Sequence, residues 1–282
     1  MKNYYKGIFI LLSFFLLACT SENNEAQQQL ATARLAYNKK DYTLAKQQLD
    51  SLKIKYPKAF TQIREGLALL DSVRRGENEQ IITSCDSLII HFQPQVDLKK
   101  KQFSFIQNKQ YQETGSYIPK ESVTNSIEGT TLRSGVEENG QLYLESVFIG
   151  GQKHNKLKIS TKDGSFAESI PVNDDGLNYR FTNMNKTYEI IRFGGAKENG
   201  LAKFIFTNIN KPLTASIEGQ GRYTYTLSQP VKSAIAKSYE LSVMMLQLDS
   251  LKMAKEKAEY HIYYLDNKKN EVTTDTTKQE KL

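Results

Sequence analysis

Apolar and polar positions change rhythm along this chain, and the changes divide it. Between residues 24 and 112 the apolar residues recur at helical spacing. Glycine and proline are confined there to Gly66, Gly76, Pro57 and Pro94, each of which reads as a helix end or start. The spacing predicts a first helix over residues 24–38 and a turn at Asn38-Lys39-Lys40-Asp41, with Asp41 as N-cap. A second helix ends near Lys55, before Pro57. A further helix over residues 95–112 carries Val96, Leu98, Phe103, Phe105 and Ile106. Lys99-Lys100-Lys101 within it reads as a solvated face.

A repeated pattern supports helical packing. Leu49-Asp50-Ser51-Leu52, Leu70-Asp71-Ser72-Val73, Cys85-Asp86-Ser87-Leu88 and Leu248-Asp249-Ser250-Leu251 share it. Apolar residues three apart face one way on a helix, so the Asp-Ser pairs between them face outward. They read as surface positions rather than as a catalytic pair.

From about residue 113 the rhythm shortens to alternation. Residues 141–149 are the clearest strand, with Leu142, Leu144, Val147 and Ile149. Further strands are predicted over 156–160, 165–172, 178–182, 187–193, 201–209, 213–218 and 222–228. Asn139-Gly140, Asp163-Gly164, Asp175-Gly176, Asn199-Gly200 and Gly219-Gln220-Gly221 separate them as turns. Strands so spaced predict an antiparallel sandwich or open barrel. After Pro230 the helical pattern returns, and one helix of about 30 residues, about 45 Å long at 1.5 Å per residue, ends near residue 266. A helix that long needs a partner, and the N-terminal helices supply one. The fold class predicted is α+β: a helical domain over 24–112, a β-domain over 113–230 inserted into it, and a C-terminal helix over 231–266 returning to the bundle. Residues 267–282 are polar and read as a disordered tail.

The first residues have a different logic. Lys2 and Lys6 precede an uncharged apolar run from Gly7 to Leu17, too short to span a hydrocarbon core that needs about 20 residues. The run closes on Leu16-Leu17-Ala18-Cys19 and turns polar at once. That tetrapeptide resembles the lipobox of bacterial lipoproteins at every position. The resemblance implies a signal peptide over residues 1–18, with Cys19 as the mature N-terminus. Diacylglycerol would sit on its sulfur and a third acyl chain, such as palmitate, on its amine. Residues 19–23 would then be a leash to the membrane. Glu22 and Glu25 after it resemble the acidic surface-export signals of Bacteroidota lipoproteins, which implies an outer-membrane address; periplasmic and surface-facing placements both stay open.

The first helices carry a second resemblance. Ala33, Tyr42, Ala45, Leu49, Leu52 and Pro57, with the turn Tyr37-Asn38-Lys39-Lys40-Asp41-Tyr42, resemble one tetratricopeptide repeat. Gln29 stands where the repeat has tryptophan. One repeat implies a repeat-like hairpin rather than an array, since about three are needed for a stable solenoid. A plain helical bundle is the other reading.

Charge and cysteine content then narrow the function. The net charge of +7 falls once Lys2 and Lys6 leave with the signal. With the export signal, so mild a basicity argues against a nucleic-acid partner. Of the two cysteines, the resemblance implies that Cys19 is taken by lipid, which would leave Cys85 alone, and Cys85 reads as inert core.

Candidate chemistry is sparse. His91, His154 and His261 lie far apart without metal-ligand spacing, and no nucleophile elbow, phosphate loop or dinucleotide motif occurs. Asn173-Asp174-Asp175-Gly176 fails as a calcium loop, because Pro171 and Thr182 would occupy ligating positions; it reads as a β-turn. The sequence therefore predicts no catalytic residue, no metal and no cofactor. Tyr260, Tyr263 and Tyr264, with His261, crowd one stretch of the last helix. They either pack on the bundle or form a partner-docking patch. The reading that follows is a non-enzymatic envelope lipoprotein, held to the membrane by its lipid and scaffolding a protein partner. The alternative is a glycan- or peptide-binding, or degradative, lipoprotein that uses its β-domain.

Overall fold

In a computed structural model, residues 22–110, 113–122, 129–173 and 178–279 are described, with side chains given to residue 268. Leu16-Leu17-Ala18-Cys19, read from sequence as a lipobox, and Asp174-Asp175-Gly176, read as a turn, lie outside the described residues. The architecture is α+β: N-terminal helices, two antiparallel sheets and a long C-terminal helix. The chain divides into two compact units. Among the described residues, one holds 22–88 and 252–279, the other those between 89 and 251. The two long helices contribute to both.

The helical unit begins with α1 over residues 22–38 and α2 over Tyr42–Lys55. Asp41 caps α2 as predicted, its Oδ1 accepting from the Leu44 N–H at 3.0 Å. Ala26, Ala33, Ala36 and Ala45 are buried with Leu30, Leu49 and Leu52. Small side chains let these helices approach closely. Gln29 of α1 donates to the Gln48 side-chain oxygen of α2 at 2.5 Å, an amide bridge between the two helices.

Next comes α3, Phe60–Lys100, a continuous helix of 41 residues. This corrects the expectation that Gly66, Gly76 and Pro94 mark helix ends. The glycines are there for room. A Cβ on Gly66 would lie 3.1 Å from Leu52, and one on Gly76 would lie 2.7 Å from the Tyr42 hydroxyl. Pro94 removes one helix hydrogen bond, to the carbonyl of the exposed Ile90, where water can replace the donor. Within this unit α3 runs antiparallel to the end of the last helix, α5 (Gln229–Gln279). Asp71 pairs with Lys268 at 3.0 Å and Asp86 with Lys255 at 2.6 Å, and Arg75 pairs with Asp266. The outward Asp of the repeated pattern thus becomes an interhelical contact at two of its four occurrences.

The β-unit holds two sheets. The larger has the order β1-β2-β3-β4-β8-β7, and the smaller β10-β9-β5-β6, with every pair antiparallel. The strands are β1 Phe103–Ile106, β2 Ser116–Pro119, β3 Thr131–Glu137, β4 Leu142–Ile149, β5 His154–Thr161 and β6 Phe166–Glu168. The rest are β7 Tyr179–Asn183, β8 Lys186–Gly194, β9 Leu213–Gly219 and β10 Arg222–Thr226. Leu132, Leu144, Ile191 and Phe193 of the larger sheet share one core with Leu157, Ile159, Leu213, Ala215 and Ile217 of the smaller. Alternation on both inner faces makes this core, as in a sandwich.

Two predicted elements change type here. Phe103–Ile106 is strand, so the helix expected over 95–112 stops at Lys100 and the β-unit starts earlier than residue 113. Leu201–Thr207 is helix α4, not strand, and Asn199-Gly200 is its start rather than a hairpin turn. Its buried residues, Leu201, Ala202 and Ile205, have helical spacing and fill the core between the sheets.

The last helix, α5, spans Gln229–Gln279 and takes Pro230 in its first turn. It extends past residue 266, where composition predicts its end. In the β-unit it covers the larger sheet. Ser238 meets Ser134 at 2.9 Å, Ser242 donates to the Gly140 carbonyl at 2.7 Å, and Leu241, Met245 and Leu248 pack with Val96, Phe103 and Val136. Lys99 pairs with Glu240, and the Lys100 ammonium lies 4.7 Å from the Tyr117 ring centroid. That lysine run is thus partly engaged rather than wholly solvated.

Candidate functional site

The helical unit contains a cavity of about 580 Å3 between α2, α3 and α5. Helical spacing builds it. Ala254, Ala258 and Leu265 of α5, at intervals of four and seven, turn one face toward Ile81 of α3. Ala254 and Ala258 carry small side chains, so a hollow remains where leucines would have filled the contact. The floor is therefore apolar, and Asn78 and His261 supply its one polar bridge. Asn78 donates to the Arg74 carbonyl at 2.7 Å and holds His261 Nδ1 at 3.2 Å through its Oδ1.

Cations surround this floor. Lys46, Arg74, Lys257 and Lys268 line it, against the one carboxylate of Glu77. Lys46 reaches Glu77 at 2.6 Å, and Arg74 and Lys268 share Asp71 at 3.7 and 3.0 Å. Lys257 has no carboxylate partner among the described residues. The cavity therefore presents apolar surface inside a positive rim.

The tyrosines singled out from sequence are on this unit's surface. Tyr260, Tyr263 and Tyr264 are 66%, 63% and 61% exposed, so they do not pack into the bundle. Only Tyr264 lines the cavity; Tyr260 and Tyr263 are outside it. Sequence reading missed Lys46, Arg74 and Lys257, because their convergence depends on three helices meeting. The alanine spacing on α5 was the available signal.

Cys85 is buried, as expected for core. His91 stacks edge-on against Phe92, with ring centroids 5.8 Å apart. Among the described residues no group of three His, Cys, Asp or Glu side chains could hold a metal ion, and no helix is long and apolar enough to cross a membrane. No family model matches the chain, and no curated protein or solved structure matches it.

Proposed function

We propose that this chain is a non-enzymatic cell-envelope lipoprotein, anchored through Cys19 to the outer membrane, whose helical unit holds an acidic amphipathic segment of a protein partner. The observation that carries the reading is the apolar cavity within the rim of Lys46, Arg74, Lys257 and Lys268. An amphipathic acidic helix offers an apolar stripe for the floor and carboxylates for the rim. The exposed Tyr264 adds an aromatic ring to the cavity wall, and tyrosine is enriched at protein interfaces.

The anchor rests on Leu16-Leu17-Ala18-Cys19. Two or more acyl chains give stable attachment where one gives only marginal binding. A tethered scaffold meets envelope partners at raised effective concentration, so modest affinity suffices.

Crosslinking in the native envelope with mass spectrometry tests the partner. The wild-type chain is expected to recover one defined protein through peptides from 46–81 and 254–268. A chain carrying Lys257→Glu with Tyr263→Ser and Tyr264→Ser is expected to lose that protein while keeping its thermal unfolding. Recovery of no protein, or unchanged recovery in the variant, overturns the reading. Metabolic labelling with a palmitate analogue, lost in Cys19→Ser, tests the anchor separately.

A further inference from the structure

The β-unit has a cavity of its own, of about 480 Å3, where the start of β5 and the end of β9 face β7 and β8. Its volume is in the range of small-molecule sites. An unusual pair forms its deepest part. Glu189 alternates with Ile191 and Phe193 along β8, so a carboxylate takes a core-facing position. Opposite, the pairing of β5 with β9 slips between His154 and Lys156. This bulge puts His154 on the buried side, three residues before buried Leu157.

Glu189 is fully engaged. Its Oε2 accepts from the His154 backbone N–H at 2.9 Å and from ring Nδ1 at 2.6 Å, and its Oε1 lies 3.4 Å from Arg180 Nη1. Arg180 also donates to the Gly151 carbonyl at 2.5 Å. With Nδ1–H donating to the carboxylate, neutral His154 keeps a lone pair on Nε2. Burial outweighs the attraction of Glu189 and depresses the imidazole pKa below its ordinary value, which favours the neutral ring. Nε2 is buried and has no hydrogen-bond partner, and Asn178 Oδ1 on the same cavity is in the same state. Buried polar atoms are nearly always bonded. Two orphaned acceptors on residues of one cavity wall therefore call for a molecule that donates.

The rest of the wall selects which donor. Lys153 and Arg180 disfavour an ammonium. A carboxylate or a dianionic phosphomonoester suits those cations but brings no hydrogen for Nε2 or Oδ1. Hydroxyl groups do both, donating to the two acceptors and accepting from the Arg180, Asn155 and Gln220 side chains that also line the cavity. Val172 and Ile191 offer apolar surface to a ring's C–H face. We propose that this cavity binds a small polyhydroxylated molecule of the carbohydrate class, with hydroxyls donating to His154 Nε2 and Asn178 Oδ1.

Saturation-transfer NMR and calorimetry on the full chain in detergent test this, using glucose, galactose, mannose, N-acetylglucosamine and their disaccharides. At least one is expected to bind saturably, one to one, and to shift the 15N signal of His154 Nε2. His154→Phe and Asn178→Leu are each expected to weaken binding tenfold or more. Should His154→Phe fail to fold, Asn178→Leu, at the start of β7, carries the test. Binding is also expected to weaken on acidification, because a protonated Nε2 can no longer accept; Glu189, Arg180 and Lys153 are the charged groups that face it. The proposal is overturned if no sugar of the panel perturbs His154 saturably, if binding survives both substitutions, or if a crystal soaked in concentrated sugar holds only ordered water there.

Discussion

His154 and Glu189 meet at 2.6 Å through Nδ1 and Oε2, with side chains only 2% and 6% exposed. The same oxygen accepts the His154 backbone N–H, so one carboxylate satisfies two buried donors on one residue. A buried donor left without its acceptor costs about 1–3 kcal/mol. Glu189→Leu strands both donors and is expected to destabilise the β-unit by about 2–4 kcal/mol. Glu189→Gln keeps an acceptor oxygen and is expected to cost less. Urea unfolding followed by circular dichroism measures both. Equal midpoints for wild type and Glu189→Leu would mean that water replaces the carboxylate without loss.

The pair also sets a pH dependence. Burial, the larger influence, lowers the His154 pKa, and Glu189 only partly opposes it. The folded chain therefore binds this proton less readily than the unfolded chain, whose value is about 6.5. Between the folded value and about 6.5 the unfolded state holds more protons, so stability falls as the pH drops through that window. Above about 6.5 both states are neutral at this site and the contribution is fully present. Unfolding free energies at a series of pH values are expected to show this slope in wild type and a shallower one in His154→Asn. Equal slopes would place the acid sensitivity elsewhere.

The pair illustrates where the sequence was legible. Alternation was enough to find β4, β5, β7, β8, β9 and β10, and turn signals found the hairpins at Gly140, Gly164 and Gly219-Gln220-Gly221. The same alternation already set Glu189 beside Ile191 and Phe193, and that signal was readable. His154 was not, because its inward turn depends on a bulge and its partner lies 35 residues away. β1 is four residues long and follows a helix without glycine or proline between them, so helical periodicity ran on through it. In α4, Phe204, Ile205 and Phe206 favour strand locally. Burial of Leu201, Ala202 and Ile205 in the shared core overrides that preference. A packing glycine such as Gly76 and a terminating glycine are the same letter, and only the Tyr42 ring beside Gly76 tells them apart. The helical-unit cavity was less legible than the fold, because its rim converges from three helices.

Gly219 is the backbone condition for the His154 arrangement. It pairs with His154 across the strands, and a Cβ there would lie 2.5 Å from the Lys153 carbonyl oxygen and 2.6 Å from His154 Cα. Both are backbone atoms, so no rotamer change relieves the contact. Gly219→Ala is expected to separate β5 from β9 at this point and to cost about 1–3 kcal/mol, the range for overpacking. Gly151→Ala is the control, since nothing lies within 4 Å of its would-be Cβ. It is expected to stay within about 0.5 kcal/mol of wild type. Thermal unfolding ranks the two, and amide exchange at the β5–β9 pairs shows whether the damage is local. Equal melting temperatures would mean that the strands part without cost.

Cys85 gives a probe of the helical unit alone. It is 6% exposed on α3, one residue before the Asp86 that pairs with Lys255 at 2.6 Å. A thiol reacts as its thiolate with reagents that can reach it, so burial alone slows labelling. In a Cys19→Ser chain Cys85 is the sole cysteine. Its labelling by a thiol reagent is expected to be at least about a hundredfold slower in buffer than in urea, because about 3 kcal/mol of local opening is already about that factor. Lys255→Ala removes a partly exposed ion pair and is expected to cost no more than about 1 kcal/mol, which raises the labelling rate by about fivefold at most. Glu189→Leu acts in the other unit and is expected to leave this rate unchanged under native conditions. Rapid labelling of the native Cys19→Ser chain would place the thiol at the surface and overturn its assignment to the core.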